Sequence, residues 1–195
     1  MKKIFFLQLL IGISLFSYSQ QFEGGVLLGF TGSQIDGDGR AGYNKLGLEG
    51  GGFVRRQFSK RFAWQMELKY IGKGATQPTN PDNPTIYNVS LHYIELPLLL
   101  QFRISEKTSV EAGIAAAYLF SSSNDLGLGP EAPNPPFNKY DFPWIGGISY
   151  FFTDKFSVNV KFSYSIVPIR GTTDEYHLGG QFNHQLCFGV YYKIK

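Results

Sequence analysis

The chain is short of charge. Asp, Glu, Lys and Arg make up 17% of its 195 residues, against the roughly 25% of an average soluble domain. Cysteine is almost absent: Cys187, near the end of the chain, stands alone. That excludes an internal disulfide and a lipid-anchoring cysteine at an N-terminal cleavage site, and leaves the thiol as a small buried filler. After the first 16 residues no apolar run approaches the ~20 residues of a membrane-spanning helix, so no helical span is expected. A formal net charge of +3 is too small to suggest nucleic acid as a partner. What the chain does have is aromatic residues, at 16%.

The chain opens with "MKKIFFLQLLIGISLFSYSQQ". Lys2 and Lys3 form a basic start, Ile4 to Phe16 an apolar run, and Ser17-Tyr18-Ser19 a small-x-small cleavage signal. Residues 1–19 are predicted to be a secretory signal peptide cut before Gln20, the run being too short for a spanning anchor. Residues 20–195 then form one domain. Cleavage removes two lysines and no acid, which brings the net charge from +3 to +1.

The clearest periodicity lies in "FSVNVKFSYSI". Phe156, Val158, Val160, Phe162, Tyr164 and Ile166 fall on one face, with Ser157, Asn159, Lys161, Ser163 and Ser165 on the other. Strand side chains alternate between faces, so this is a strand with one apolar side. Seven further strands are predicted, over residues 22–32, 43–58, 62–74, 89–104, 108–120, 141–152 and 180–194, with no helix between them. Three connections are tight, namely "SKR" (59–61), "SEK" (105–107) and "TDK" (153–155). The other four, residues 33–42, 75–88, 121–140 and 169–179, are long and rich in Gly, Pro, Asn and Ser. Long and short connections alternate without exception. That is the pattern of an outer-membrane barrel, with short periplasmic turns and longer extracellular loops.

Volume decides which face looks outward. In residues 62–74 the even face carries Phe62, Trp64, Met66, Leu68 and Tyr70. In residues 108–120 the odd face holds Glu111, Gly113, Ala115, Ala117 and Leu119. Eight strands enclose a space that side chains just fill. Bulky faces would overfill it, whereas small and polar ones fit, so the bulky face is assigned to lipid. Aromatic residues cluster accordingly. Phe58, Phe62, Phe102, Phe152, Phe156 and Tyr192 lie near the tight turns or the C-terminus. Tyr70, Tyr118, Phe120, Phe142, Trp144 and Tyr164 lie near the long loops, and two membrane interfaces favour two such belts. The predicted fold is an all-β, eight-stranded antiparallel up-and-down transmembrane β-barrel.

At "YIELPLLLQFRISEKTSVEAGIAAAYLF" the chain resembles the PorT-like outer-membrane β-barrel family of Bacteroidetes-type, Gram-negative bacteria. Tyr93, Glu95, Leu96, Pro97, Leu98 and Leu99 match its Tyr-x-Glu-[Ile/Leu]-Pro-Leu-Leu-type strand. "MELKYIGKG", with Glu67 and Lys73-Gly74, is similar to the family's third strand. The resemblance covers the mature chain, but its motifs are structural; it implies an outer-membrane barrel, and in one branch a link to type IX protein export. "CFGVYYKI" resembles the C-terminal assembly signal of outer-membrane barrels through Gly189, Tyr192 and Ile194. It departs from that signal at Cys187 and in lacking a terminal aromatic residue. This implies the barrel-assembly machinery as a partner.

The inward faces carry Glu67, Lys69, Lys73, Glu95, Arg103, Glu111 and Lys161. If "SEK" closes a hairpin pairing Ile104 with Thr108, Gln101 lies opposite Glu111, with Arg103 diagonal to it. Buried charges must be paired or hydrated. An ion pathway is one reading, and a paired plug that fixes register is the reading preferred. Pro97 calls for a bulge or a position needing no ladder donor. His92, His177 and His184, with Ser33, Ser90 and Ser121 to Ser123, show no spacing that specifies a hydrolytic triad. "DGDG" (36–39) opens like a calcium loop but lacks the later ligands, and "PEAPNPP" (130–136) reads as a stiff solvated loop. No catalytic residue, cofactor or metal is expected. The expected role is structural, in envelope integrity, or one of surface interaction, with outer-membrane lipid, lipopolysaccharide and a surface or export partner at the loops. Membership of an export assembly is the alternative; an open pore and a lipid A-modifying enzyme rank lower.

Overall fold

The computed structural model describes residues 22–77, 79, 86–171 and 180–195. The expected signal peptide, parts of two long loops and His177 lie outside them. Ten strands form among the described residues: β1 Phe22–Asp36, β2 Lys45–Gln57, β3 Phe62–Gln77, β4 Tyr87–Arg103, β5 Thr108–Asp125, β6 Pro130–Glu131, β7 Tyr140–Asp141, β8 Pro143–Phe151, β9 Phe156–Ser165 and β10 Phe182–Lys193. Eight of them close a ring in the order β1, β2, β3, β4, β5, β8, β9, β10 and back to β1, each pair antiparallel. Closure leaves no long sheet edge unpaired. The short strands β6 and β7 pair with β5 above the ring.

Alternation sets the faces. Along β9, Ser157, Asn159, Lys161, Ser163 and Ser165 are buried inside, while Val158, Val160 and Phe162 are turned out. Large apolar side chains stand bare around the outer wall, among them Leu28 at 70% exposure, Leu68 at 59% and Leu98 at 54%. No water-soluble barrel wears such a surface; acyl chains are its natural solvent. Rings gather toward both ends of this wall. Phe62 packs on Phe102 at 5.1 Å and Phe152 on Phe156 at 5.7 Å at the turn end. At the loop end Tyr70 meets Phe120 at 6.2 Å and Trp144 meets Phe162 at 5.2 Å.

Several strands outrun the sequence reading. Ser33 to Asp36 continue β1, and Ser121 to Asp125 continue β5. In β1 the inward side still alternates into the barrel, Ser33 and Ile35 being fully buried, but the inward residues are no longer the more polar ones. Ser121 to Asp125 meet water or loops on both faces. Polarity stops marking the faces while the ladder persists. Residues 121–140 are also more ordered than a solvated loop. Pro130–Glu131 pairs with Asn124–Asp125, and the segment turns Phe137 into the barrel mouth, where it is buried.

Pro97 resolves one of the sequence's open choices. It faces Ala115 of β5 in unbroken register, and the β3 ladder resumes in the same register on either side of it, Met66 with Leu98 and Lys69 with Glu95. A proline forfeits one ladder donor without needing an extra residue. The register shift lies instead between His92 and Tyr93, whose partners step from Ser121 to Leu119. Phe120 is the extra residue there, and both it and Ser121 point outward.

Candidate functional site

Three layers fill the lumen. The layer nearest the long loops is apolar: Ile35, Ile71, Val89, Leu91, Tyr93, Leu119 and Cys187 pack together, with Phe137 and Ile169 capping them from the loops. Backbone bonds from Asn138 N to Ile169 O, 2.7 Å, and from Leu119 N to Lys139 O, 2.8 Å, hold the cap down. Arg170 closes over the Phe137 ring at 4.8 Å. Leu119 lies on the inward face read from alternation and Cys187 is the buried filler expected. The layer as a whole was not foreseen, because an apolar inward position amid apolar outward ones reads as a lapse in the pattern.

The middle layer is a chain of opposite charges, all essentially sealed from solvent. It begins at Asp141 of β7, whose Oδ2 lies 3.4 Å from Lys73 Nζ. Lys73 is 2.7 Å from Glu95 Oε2. Glu95 Oε1 lies 3.7 Å from Lys69 Nζ, which also stands 2.7 Å from Glu49 and 3.7 Å from Glu67. Glu67 accepts from Lys161, whose Nζ is 3.4 Å from Glu111. β3 and β9 stand four places apart in the ring of eight, so the Glu67–Lys161 pair crosses the full diameter of the barrel.

Neutral donors complete the layer. Tyr191 Oη donates to Glu67 at 3.0 Å and accepts from Lys161 at 2.7 Å. Gln65 donates to Glu67 at 2.7 Å, Gln101 and Asn159 donate to Glu111 at 2.8 and 2.9 Å, and Asn183 donates to Asp141 at 2.9 Å. Desolvating an ion costs several kcal/mol unless partners return the lost hydration, and here each ammonium has at least two carboxylates within 4 Å. Space for these groups comes from inward glycines. A Cβ on Gly29 would lie 2.9 Å from the Glu49 carboxylate, and one on Gly51 only 2.1 Å from the Leu68 carbonyl oxygen.

Of the inward charges read from the sequence, Glu67, Lys69, Lys73, Glu95, Glu111 and Lys161 meet in this layer. Gln101 faces Glu111 as the hairpin register requires. Arg103 is not brought in. It pairs in the ladder with Ser109, one inward step nearer the turns, and its guanidinium lies 5.5 Å from the Phe151 ring at the barrel mouth. Sequence reasoning missed Glu49 and Asp141. Glu49 is flanked by glycines on both faces in "LGLEGGGF", which hides the alternation, although its odd position shares a face with Phe53 and Arg55. Asp141 precedes Phe142 and Pro143 in a segment paired with β5 rather than β9.

The third layer, at the turn end, is a water-accessible mouth. Phe53 packs on Tyr191 at 5.5 Å across its floor.

Among the described residues neither His92 nor His184 hydrogen-bonds a serine, although Ser121 faces His92 in the ladder. His184 is bonded by Tyr43 Oη at 2.6 Å and by Gln34 at 2.9 Å, and His92 by Tyr70 Oη at 2.7 Å. Ser33 donates to Gly74 O at 3.0 Å, and Ser90 accepts from Lys45 at 2.7 Å. In the "DGDG" turn, Asp38 accepts from Arg40 N at 2.8 Å and from Tyr87 Oη at 3.0 Å. Burial holds its carboxyl above the ordinary range. No cluster of three or more metal-binding side chains forms among the described residues.

A closed eight-strand ring, a lipophilic wall and an ion-paired interior define a small membrane barrel. The chain belongs to the outer membrane protein β-barrel domain family, whose model matches residues 18–170, and its place is the outer membrane. Its fold is similar to that of Ail, the attachment invasion locus protein of Yersinia pestis, at TM-score 0.54 and 14% identity, covering 89% of this chain and 99% of that one. It is likewise similar to Neisserial surface protein A, at TM-score 0.57 and 14% identity, covering 88% and 97%. At this identity the likeness is one of fold. Comparison with the curated proteins finds no match.

Proposed function

We propose that this barrel works through its surfaces and not through its lumen, contributing to envelope integrity or presenting its loops to a partner. The observation that carries this reading is the cross-barrel Glu67–Lys161 pair, seated in a continuous charge chain and roofed by Phe137 and Ile169. A path for ions would have to break both. In this reading Glu67, Lys69, Glu95, Glu111 and Lys161 act as a structural plug, and Arg103 lies outside it at the turn-end mouth. The signal peptide, residues 1–19, is removed; termini and tight turns face the periplasm; the long loops face outward beside lipopolysaccharide. The C-terminal strand is the handle for the barrel-assembly machinery. A surface role has a parallel in the fold, since Ail has been crystallised with the heparin analogue sucrose octasulfate.

Planar-bilayer recording tests the reading. The purified protein is expected to leave membranes at their protein-free leak, and a steady unitary conductance would overturn it. An unchanged lipid A mass spectrum on expression is expected too, and a trimmed or acylated product would replace the surface role with an enzymatic one. Membership of an export assembly is the second reading, favoured by the PorT-like Tyr93-x-Glu95-Leu96-Pro97-Leu98-Leu99 strand. Crosslinking to export machinery in cells would support it over the first.

A further inference from the structure

The mouth at the turn end holds a cavity of about 330 Å³, within the size range of sites for small ligands. Its chemistry is uneven. Arg55 and Arg103 both reach the Phe151 ring, their guanidinium carbons 5.4 and 5.5 Å from its centroid, and Lys107 and Lys193 stand around them. Glu23 is already engaged, 3.3 Å from Arg55 and 2.9 Å from Lys193. The remaining acids, Glu106 and Asp154, belong to exposed turns.

Arg55 is the unusual member. Its side chain is nine-tenths buried, yet of its five N–H donors one serves Glu23 at 3.3 Å, and its enclosed Nε has no partner. Arg103 takes no carboxylate among the described residues. Two guanidinium groups converging on one ring at the edge of a low-dielectric lumen repel each other, and an unfilled buried donor adds a desolvation cost. An oxyanion between them relieves that repulsion and takes terminal N–H donors that Glu23 leaves free, because planar guanidinium forks fit carboxylate and phosphate oxygens in pairs.

We infer that this vestibule is a binding site for a small oxyanion, a phosphate or carboxylate group presented from the turn side, with Arg55 and Arg103 as its ligands and Phe151 as its wall. The site lies on the turn side of the plug, whose Gln65, Gln101 and Tyr191 line the narrower pocket between the two.

The test uses the folded chain in maltoside micelles, which carry no phosphate, and follows the arginine Nε–Hε resonances at constant ionic strength. Inorganic phosphate and acetate are titrated separately, with chloride as the screening control. A saturable shift at Arg55 with phosphate, acetate or both is expected, and the tighter of the two names the ligand group. Phosphatidylglycerol added to the micelles distinguishes a lipid headgroup: saturation by the lipid with no response to the soluble ions assigns the oxyanion to the membrane. Arg103→Gln is expected to weaken binding roughly 10- to 100-fold. Arg56→Gln, on the outer face against Phe22, is expected to leave it unchanged. An equal response to chloride, equal losses from both variants, or no shift with any of the three ligands overturns the proposal.

Discussion

The two faces of β3 are built from alternate residues of one segment and obey opposite rules. Gln65, Glu67 and Lys69 point inward and are almost wholly enclosed, while Met66 and Leu68 point outward and are open. Inside, a charge is tolerated because its counter-charges are fixed around it. Outside, an apolar side chain is stable while bare because its solvent is hydrocarbon. Exposure in the isolated chain therefore inverts its usual meaning, and the inner face of this protein is its polar surface.

The comparison breaks hardest at Lys161. Lys161→Met leaves Glu67 and Glu111 short of a cation in a closed lumen, and is expected to cost about 3–5 kcal/mol. Reversible guanidinium unfolding in lipid vesicles, followed by tryptophan emission, checks this. A loss under 1 kcal/mol would mean that water reaches the plug. Adding Glu67→Met to that variant should cost less than the sum of the two single losses, because the pair is one unit. Next comes the outer face: Leu68→Arg is expected to cost about 2–4 kcal/mol at mid-bilayer depth, and little in short-chain micelles that let water approach. Indifference in both media would deny Leu68 its acyl neighbours.

The apolar layer gives a third contrast. Phe137→Ala empties the cap and is expected to cost about 1.5–3 kcal/mol. It should also speed amide exchange at Asn138 and Leu119, the donors that tie the cap down, without speeding exchange in β9. The smallest effect belongs to the turn-end belt. Phe62→Ala loses its ring pairing with Phe102 and is expected to cost about 0.5–1.5 kcal/mol, read by the same unfolding assay.

Much of this was legible from residue order. The eight ring strands, the three tight turns, the outward bulky faces and most inward charges follow from a period of two read against loop length. The failures share a cause. Glu49 is masked by glycines, whose lack of a side chain erases alternation, and the apolar layer by inward Ile35 and Leu91, which resemble their lipid-facing neighbours. Arg103 follows the alternation and faces inward, yet alternation says nothing about depth along the barrel axis, and depth separates the plug from the mouth.

By itself the sequence determined which face of each strand is greasy and where the chain turns back, because both depend on residues within two or three positions of each other. Only the closed ring decided who meets whom inside. Glu67 and Lys161 are 94 residues apart, and Asp141 reaches Lys73 from the far side of a long loop. Such partnerships depend on strand count and register around the whole circumference, quantities that exist only once β1 has found β10.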